Sequence, residues 1–294
     1  MEAVADVMEE LFPMSHIVRI PCTDISTTAR SYNARSKFSF VGGTNILSND
    51  ILHNSQWDIN LHNLYILKDI ILMGCGWFQY EERPVKLITK YGLNRILSKK
   101  YIHSTRDGYT RDKLESIGIR AINTGCPTLW KITPSIVERI SCAPKEKVIL
   151  TLTDYNRDRE RDLKLLKICE SVYPKGMLYF PQGTDDIAYL KELGYADKVT
   201  ILPPRLRALD KALANGECDY VGTRLHAGIR ALQNSVRAFI VGVDNRSIEM
   251  GRDFSLPILN LDSIANWHNI ISGAYKLDLT IPYRNIALWK NQFQ

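Results

Sequence analysis

The sequence lacks the features that would assign it directly to several functional classes. Its six cysteines form no CxxC pair and have no histidine at ligand spacing, so a zinc site is not indicated. No block of five or more like charges occurs, which argues against a nucleic-acid-binding tail. The longest uncharged apolar run, residues 70–78, is far shorter than the roughly 20 residues that cross a bilayer. The acidic N-terminus has no basic patch followed by an apolar core and so does not resemble a signal peptide.

What remains is the composition of an ordinary globular protein. The chain has 294 residues, of which 45% are hydrophobic and 24% charged, and its formal net charge is +6. At roughly 100–200 residues per domain, this length predicts two domains. Without a secretory signal, we expect a cytoplasmic protein whose cysteines are reduced and buried as small hydrophobic residues. The mild positive charge is compatible with anionic small molecules, nucleic acid or a membrane face, and it does not choose among them.

Short apolar segments alternate with helical patterns almost throughout the chain, which predicts an α/β fold with parallel sheets. The clearest predicted strands are residues 38–43, 69–76, 101–104 and 148–154, and the clearest predicted helices are residues 3–11, 84–97 and 111–117. Residues 140–147 are polar, include Pro and Lys, and are the expected linker. We therefore predict a first lobe over residues 1–143, a second over 144–264, and a C-terminal helical segment over 265–294.

The ends of the predicted strands are the expected ligand site, because doubly wound sheets bind ligands outside the carboxyl ends of their strands. The side chains there are rich in arginine, hydroxyl and amide groups and poor in carboxylates. They lie in residues 42–45, 104–107, 154–157, 182–183, 223–226 and 244–246. This set predicts the binding of anions.

The most informative stretch is DYVGTRLHAGIRAL, residues 219–232. A strand runs into Gly222, Thr223 can cap a helix, and the helix begins at about Arg224. The first-turn N–H groups and the guanidinium fork of Arg224 suit a phosphate or carboxylate, and His226 is placed to exchange a proton with it. The alternative is that Arg224 pairs with a carboxylate at the sheet edge and His226 packs under the helix.

Two strand ends in the first half are weaker candidates. Gly42, Gly43, Thr44 and Asn45 follow a predicted strand, and glycines permit close approach of the backbone to a ligand. A tight turn that lets a helix pack on the sheet is the alternative. Arg106 also follows a strand, with Asp107 to hold it or cap the turn and Thr110 as the expected N-cap; the alternative is a surface loop with a local ion pair.

Two polar segments in the second half have open interpretations. Asn245, Arg246 and Glu249 follow the last strong strand, where such side chains either contact a sugar or are solvated. The mixed-charge run at residues 157–162 predicts a solvated helix start.

Together these motifs resemble the polysaccharide pyruvyl transferase family. The motifs are GTRLHAGIRA with VDNR downstream, FVGGTNIL in the first half and STRDGYTRDKL in the middle, and they occur in order over residues 3–253. The resemblance implies two Rossmann-like lobes around a cleft, as in glycosyltransferase-B enzymes, with a C-terminal helix crossing back to the first lobe. It also implies that phosphoenolpyruvate donates its pyruvyl group to a sugar, forming a cyclic ketal across two hydroxyls and releasing phosphate.

The resemblance assigns roles to particular residues. Arg224, Leu225 and His226 match the family's donor-binding and catalytic element, and Arg106 matches an arginine of the first lobe that helps to hold the donor. Thr223 belongs to the same donor-binding turn. Family members usually begin with a strand and a Gly/Asn loop, so we expect this first strand to be missing here. Many relatives also have a third glycine where this chain has Thr44.

The expected chemistry needs phosphoenolpyruvate as co-substrate and neither a cofactor nor a metal, with His226 as the proton donor. A lipid-linked sugar acceptor would place the enzyme at the inner face of a membrane, as a peripheral protein. Two alternatives stay open. One is a glycosyltransferase that uses a nucleotide sugar, with Glu249 on the ribose, and the other is a non-catalytic scaffold in polysaccharide assembly.

Overall fold

A computed structural model describes residues 2–53, 56–81 and 83–294. The strands are β1 (Ser39–Gly42), β2 (Ile70–Met73), β3 (His103–Thr105), β4 (Ala121–Asn123), β5 (Lys147–Thr151), β6 (Met177–Tyr179), β7 (Thr200–Ile201), β8 (Cys218–Gly222), β9 (Ala238–Val241) and β10 (Ile258–Leu259). The helices are α1 (Glu2–Leu11), α2 (Thr27–Arg35), α3 (Leu61–Ile66), α4 (Leu87–Ile96), α5 (Gly108–Ser116), α6 (Pro134–Glu138), α7 (Arg159–Val172), α8 (Asp186–Glu192), α9 (Leu206–Ala214), α10 (Leu225–Gln233), α11 (Asn245–Phe254), α12 (Trp267–Ser272) and α13 (Tyr283–Asn291). Every strand and helix predicted above is confirmed, within a few residues at each end.

The chain divides into two compact units. Unit 1 comprises Met1–Trp130 and Ile281–Gln294, and unit 2 comprises Lys131–Thr280. The predicted α/β class with parallel sheets in both units is therefore confirmed. None of the helices in the described ranges is long and apolar enough to cross a membrane.

The unit boundaries differ from the predicted ones at 143 and 265. Residues 131–143 belong to unit 2, where the Ser235 hydroxyl, after α10, donates to the carbonyl of Ile136 in α6 at 3.2 Å. Residues 265–280 also belong to unit 2, where the buried Arg237 side chain donates to the carbonyls of Ile271 and Gly273 at 2.9 and 2.7 Å. The last helix, α13, belongs to unit 1, where Trp289 is fully buried.

Unit 1 contains four short parallel strands. β1 pairs with β2 and β3 pairs with β4, and between β2 and β3 the backbone pairing continues through Cys75 and Thr105. The His103 ring adds a contact between these strands: Nδ1 accepts from the Leu72 N–H at 3.2 Å, and Nε2 lies 2.9 Å from the Ser98 carbonyl oxygen. Burial lowers the pKa of His103 to about 4, so the ring is neutral and donates through Nε2.

The glycine pair at the end of β1 makes room for α1. Val4 of α1 lies so close that a Cβ on Gly42 would be 2.9 Å from its methyl group, and one on Gly43 would be 2.8 Å away. Gly43 also has a φ of +66°, which a side chain would strain. Val7 is buried in the same cluster as Met73. Both glycines are therefore explained by the alternative given above, a tight turn that lets a helix pack on the sheet.

Unit 2 is built on one six-stranded, wholly parallel sheet with the order β10-β9-β8-β5-β6-β7. Numbered from β5, this is the order 3-2-1-4-5-6 of dinucleotide-binding folds, and the order reverses between β5 and β8. The central strands β5 and β8 are almost entirely buried, as expected for a parallel sheet covered by helices on both faces. Loops at the carboxyl ends of β5 and β8 therefore diverge at the switch point, where such folds bind ligands.

The charged start of α7 is solvated over residues 157–160, as predicted, but not at Arg161 and Asp162, where the prediction was wrong. These two side chains are buried and form an ion pair through two hydrogen bonds, with N–O distances of 2.8 and 3.1 Å. Tyr189 of α8 donates to Asp162 at 2.7 Å, and Arg161 donates to the Asn156 side chain at 3.0 Å. The pair thus joins the loop after β5 to α7 and α8.

Candidate functional site

The guanidinium of Arg224 ties together three loops at the switch point of unit 2. Its Nη2 donates to Asp154, after β5, at 3.0 Å and to Asp186, at the start of α8, at 2.6 Å. Its Nε donates to the Leu152 carbonyl at 3.2 Å. Nη1 makes no hydrogen bond with the described residues, and the side chain keeps 14% of its surface exposed. The geometry therefore matches the alternative in which Arg224 pairs with carboxylates.

Asp186 organises the turn that precedes it. Its Oδ2 accepts from the N–H groups of Gln182 and Gly183, both at 2.8 Å, and its Oδ1 accepts from the Asp154 N–H at 3.1 Å. Gly183 has to be glycine, because a Cβ there would collide with the Asp154 carboxylate and lie 2.7 Å from Arg224 Nη2. The fully buried Asp186 thus holds the β6 loop against the β5 loop.

The electrostatics of this edge differ from those of the predicted set, which is rich in arginine and poor in carboxylates. Arg224 contributes one positive charge and the two carboxylates two negative ones, so the trio has a net charge of −1. Desolvation opposes ionisation of Asp154, but the Asp185 N–H and the Arg224 guanidinium outweigh it and lower the pKa of Asp154. The site therefore holds an ionised, partly accessible carboxylate beside its arginine.

Tyr155 links this trio to the loop after β9. Its ring lies under two guanidinium groups, 5.1 Å from that of Arg224 and 5.8 Å from that of Arg246. Arg246 donates to the Tyr155 hydroxyl at 2.9 Å and pairs with Asp244, which caps α11. Tyr155 is 56% exposed, so it offers an accessible aromatic surface next to the switch point.

The start of α10 brings hydroxyl, amide and imidazole groups to the same edge. The helix begins at Leu225, one residue later than predicted, with Arg224 at the N-cap and no side-chain cap. Thr223 therefore does not cap the helix. Its hydroxyl is buried, and so is the hydroxyl of Thr153 after β5. Neither hydroxyl has a hydrogen-bond partner among the described residues. His226, the second residue of α10, is exposed, whereas Leu225 is buried in the packing of the unit.

The remaining predicted residues of unit 2 lie on α11. Asn245 and Arg246 are its first two residues and follow the β9 loop. Glu249 is buried and accepts from Arg252 at 2.8 Å. Because this carboxylate is bonded within α11, it is not open to contact a ribose.

Arg106 of unit 1 is buried rather than part of a surface loop, so that alternative was wrong. It is 2% exposed, and its Nη2 lies 3.3 Å from Asp107, whose other oxygen accepts from the Thr110 N–H at 2.8 Å. Asp107, not Thr110, is the N-cap of α5. The Nε of Arg106 and the Oδ1 of Asn45 are buried without a partner among the described residues.

Gly76 allows Asn45 and Arg106 to come together. A Cβ at this glycine would overlap the Arg106 guanidinium and lie 2.5 Å from the Asn45 Oδ1. Of the predicted unit 1 residues, Asn45 and Arg106 thus share one polar cluster, while the glycine pair and Thr44 belong to the turn next to α1. Each unit has one group of polar side chains at its strand ends.

Sequence reasoning missed two residues of the unit 2 group, Thr153 and Asp186, whereas Tyr155 was among the strand-end candidates. Thr153 directly precedes Asp154 at a predicted strand end and was accessible to the same argument. Asp186 had no local signal, because it is one of two adjacent aspartates before a helix. Within the described ranges, no three His, Cys, Asp or Glu side chains cluster closely enough to hold a metal ion.

Two solved structures are similar to this chain at low sequence identity. One is UDP-GlcNAc 2-epimerase of Methanocaldococcus jannaschii in complex with UDP-GlcNAc and UDP, with 14% identity, a TM-score of 0.48, and coverage of 78% of this chain and 70% of that chain. The other is MnaA of S. aureus with UDP, with 11% identity, a TM-score of 0.50, and coverage of 94% and 81%. The second supports the two-lobed fold class. No curated protein sequence matches the chain significantly.

The sequence itself matches a family model over most of its length. The match covers residues 1–245, which include Arg224, Asp154, Asp186 and His226 of unit 2 and the Arg106 cluster of unit 1. By this match over more than half of its residues, the chain belongs to the polysaccharide pyruvyl transferase family.

Proposed function

We propose that this protein transfers the pyruvyl group of phosphoenolpyruvate to a sugar of a polysaccharide or its lipid-linked precursor, forming a ketal and releasing phosphate. The observation that carries the proposal is the group at the switch point of unit 2. There the unpartnered hydroxyls of Thr153 and Thr223, the start of α10 and exposed His226 follow two adjacent strands. Membership of the family supports the same reaction. The reaction occurs in the cytoplasm, where phosphoenolpyruvate is made.

The donor is an anion, and the described geometry leaves particular groups to receive it. These are Nη1 of Arg224, the two threonine hydroxyls, and the Leu225 N–H at the start of α10, which has no side-chain cap. The charge of Arg224 is already balanced by Asp154 and Asp186. We therefore assign Arg224 a positioning role as well as a contact, and we expect hydrogen bonds rather than excess charge to hold the phosphate in this unit.

Unit 1 has a second candidate group, Arg106 with Asn45. The Nε of Arg106 and the Oδ1 of Asn45 have no partner among the described residues, and they are buried polar atoms that a ligand group would satisfy. We propose that Arg106 binds an anionic group, and Asn45 a hydroxyl, of a ligand of unit 1. Asn245 and Arg246, at the start of α11, are the acceptor contacts that we propose in unit 2.

The chemistry can be written with groups of unit 2. His226 gives a proton to the methylene carbon of phosphoenolpyruvate while a sugar hydroxyl bonds to the adjacent carbon. The hydroxyl proton passes to a base, for which the ionised, partly exposed Asp154 is our candidate. Phosphate then leaves and takes up the proton held by Asp154, and a second sugar hydroxyl bonds to the same carbon and gives up its proton to the neutral His226. The products are a methyl-bearing ketal and inorganic phosphate, and no redox change occurs.

The test is incubation of the protein with phosphoenolpyruvate and a panel of sugar acceptors, with release of phosphate as the readout. We expect release that depends on one acceptor, together with thermal stabilisation by phosphoenolpyruvate. Stabilisation by a uridine or guanosine diphosphate sugar instead would favour a glycosyltransferase. No stabilisation by either donor and no phosphate release would leave the scaffold interpretation.

A further inference from the structure

The helices α3 and α4 of unit 1 present large apolar side chains to solvent. Leu87 is 84% exposed and Tyr91, one turn later on α4, is 57% exposed. On α3, Leu61 and Tyr65 are 59% and 66% exposed. Exposed apolar side chains occur singly on most proteins, but two adjacent helices that each expose a leucine and a tyrosine one turn apart indicate a surface that another body covers.

The two helices form one continuous surface, which we call the α3–α4 face (Leu61, Tyr65, Leu87, Lys90 and Tyr91). They pack closely because α4 has Gly92 where a Cβ would lie 2.7 Å from the Leu64 side chain of α3. Arg95 of α4 donates to the carbonyls of Leu64 and Tyr65 at 2.9 and 2.8 Å, and its guanidinium lies over the Tyr65 ring at 5.5 Å. The exposed side chains therefore sit on a rigid support.

The charges of the two helices have one sign. α3 and α4 contain Lys90 and Arg95 and no Asp or Glu. Lys86 pairs with Asp50, but Lys90 lies exposed between Leu87 and Tyr91 and has no ion-pair partner among the described residues. Of the nearby acids, Asp58 accepts from the Ile25 N–H at 3.0 Å, and Asp69 lies beyond α3 at the start of β2.

We propose that the α3–α4 face binds an anionic membrane surface. Leucines and tyrosines beside lysines are the composition of interfacial helices, whose apolar side chains enter the acyl boundary while the cations meet lipid phosphates. A second copy of the chain fits less well, because a twofold contact would place the lysines of two identical faces in one interface, and the face has no acidic residue to pair with them. The inference goes beyond pyruvyl transfer, although a membrane surface is where a lipid-linked acceptor would be met.

The test is flotation of the full-length protein with vesicles of phosphatidylcholine alone or with added phosphatidylglycerol. We expect binding to the anionic vesicles that weakens as salt is raised, and little binding to the neutral ones. Lys90→Gln should weaken binding about fivefold. The double variant Leu87→Ser with Tyr91→Ser should weaken it at least about tenfold, because both apolar insertions are lost.

Matched controls come from exposed residues of unit 2. Leu261→Ser and Lys211→Gln remove a leucine and a lysine of the same kinds from other surfaces and should leave vesicle binding unchanged. Absence of binding to anionic vesicles, or equal binding to neutral ones, would overturn the proposal. So would a wild-type dimer in sedimentation velocity that the double variant converts to a monomer, since this face would then join two copies.

Activity separates this proposal from the proposed function. With a water-soluble acceptor, the double variant should release phosphate as fast as the wild type, because none of its changes touches the strand-end groups. A protein that binds anionic vesicles but never uses phosphoenolpyruvate would refute the reaction and leave the membrane surface standing. A protein that transfers pyruvate but binds no vesicles would support the reaction and refute the membrane surface.

Discussion

At the scale of single residues, Arg224 combines a structural and a binding role. Three of its hydrogen bonds hold Asp154, Asp186 and the Leu152 carbonyl, which leaves one nitrogen for a ligand. An ammonium group cannot make this planar set of contacts. Arg224→Lys should therefore weaken phosphoenolpyruvate binding at least about tenfold in titration calorimetry.

A matched control for this change is Arg159→Lys, at an exposed arginine of α7 that donates to the backbone carbonyl of Glu192 at 3.0 Å. This control should bind the donor as the wild type does. Unaltered donor affinity in Arg224→Lys would remove Arg224 from the site.

His226 offers a sharper separation of binding from chemistry. His226→Gln keeps the size and hydrogen-bonding capacity of the side chain but cannot deliver a proton. We expect near-normal phosphoenolpyruvate affinity and a fall in kcat of at least about 10²-fold, the lower end for general acid catalysis. The control is His268→Gln, at another exposed histidine of unit 2. Normal turnover in His226→Gln would assign the proton transfer to another group.

At the scale of elements, the β6–α8 turn depends on the absence of a side chain at Gly183. A methyl group there would meet the Asp154 carboxylate and Arg224 Nη2 and push the two loops apart. Gly183→Ala should lower the free energy of unfolding by about 1–3 kcal/mol, as overpacking does, and should reduce activity by a larger factor than stability alone explains. The control is Gly194→Ala, which meets no nearby atom but has a φ of +75°. It should cost stability without affecting donor affinity.

The neutral His103 between β2 and β3 predicts a pH dependence of stability. The pKa of His103 in the folded protein is about 4 against 6.5 for an unperturbed histidine, so the unfolded chain binds this proton more readily. The stabilisation is fully present above about pH 6.5 and is lost as the pH falls towards 4, at a cost of about 3 kcal/mol.

Denaturant titrations of the wild type and His103→Gln at several pH values test this effect. The wild type should lose more stability than the variant between pH 6.5 and 4, because carboxylates titrate equally in both. Parallel pH profiles would show that the ring is not held neutral in the sheet.

At the scale of the whole molecule, unit 1 is completed by the last residues of the chain. Trp289 of α13 is fully buried against Phe40, Trp130 and Phe293, with ring centroids 6.0, 5.5 and 4.9 Å away. Trp289→Ala should cost about 3–5 kcal/mol, as for other large-to-small changes in a core. Hydrogen exchange should show the loss in unit 1, at β1 and β2, while the sheet of unit 2 keeps its protection. Equal loss in both units would mean that they unfold as one.

Much of the secondary structure followed from local pattern. The apolar runs before Gly42, Gly74 and Gly222 have the length and glycine endings of buried parallel strands, and the periodic segments between them are helices. The elements without a prediction have weak signals. α2 buries only Ala29 among its nine residues, so its sequence has no apolar periodicity to detect. β4 is three residues long.

The sequence by itself determined that strands and helices alternate, that the sheets are parallel, and that Arg224 and His226 stand just after a strand. These are consequences of hydrophobic period and of glycine and capping residues, which act over a few positions. Only the tertiary structure decided what Arg224 meets. Asp154 and Asp186 lie 70 and 38 positions away along the chain, and they reach it because β5 lies between β8 and β6 in the sheet. The burial of Arg106 and Arg161 was decided in the same way, since a charge is covered only when distant segments pack over it.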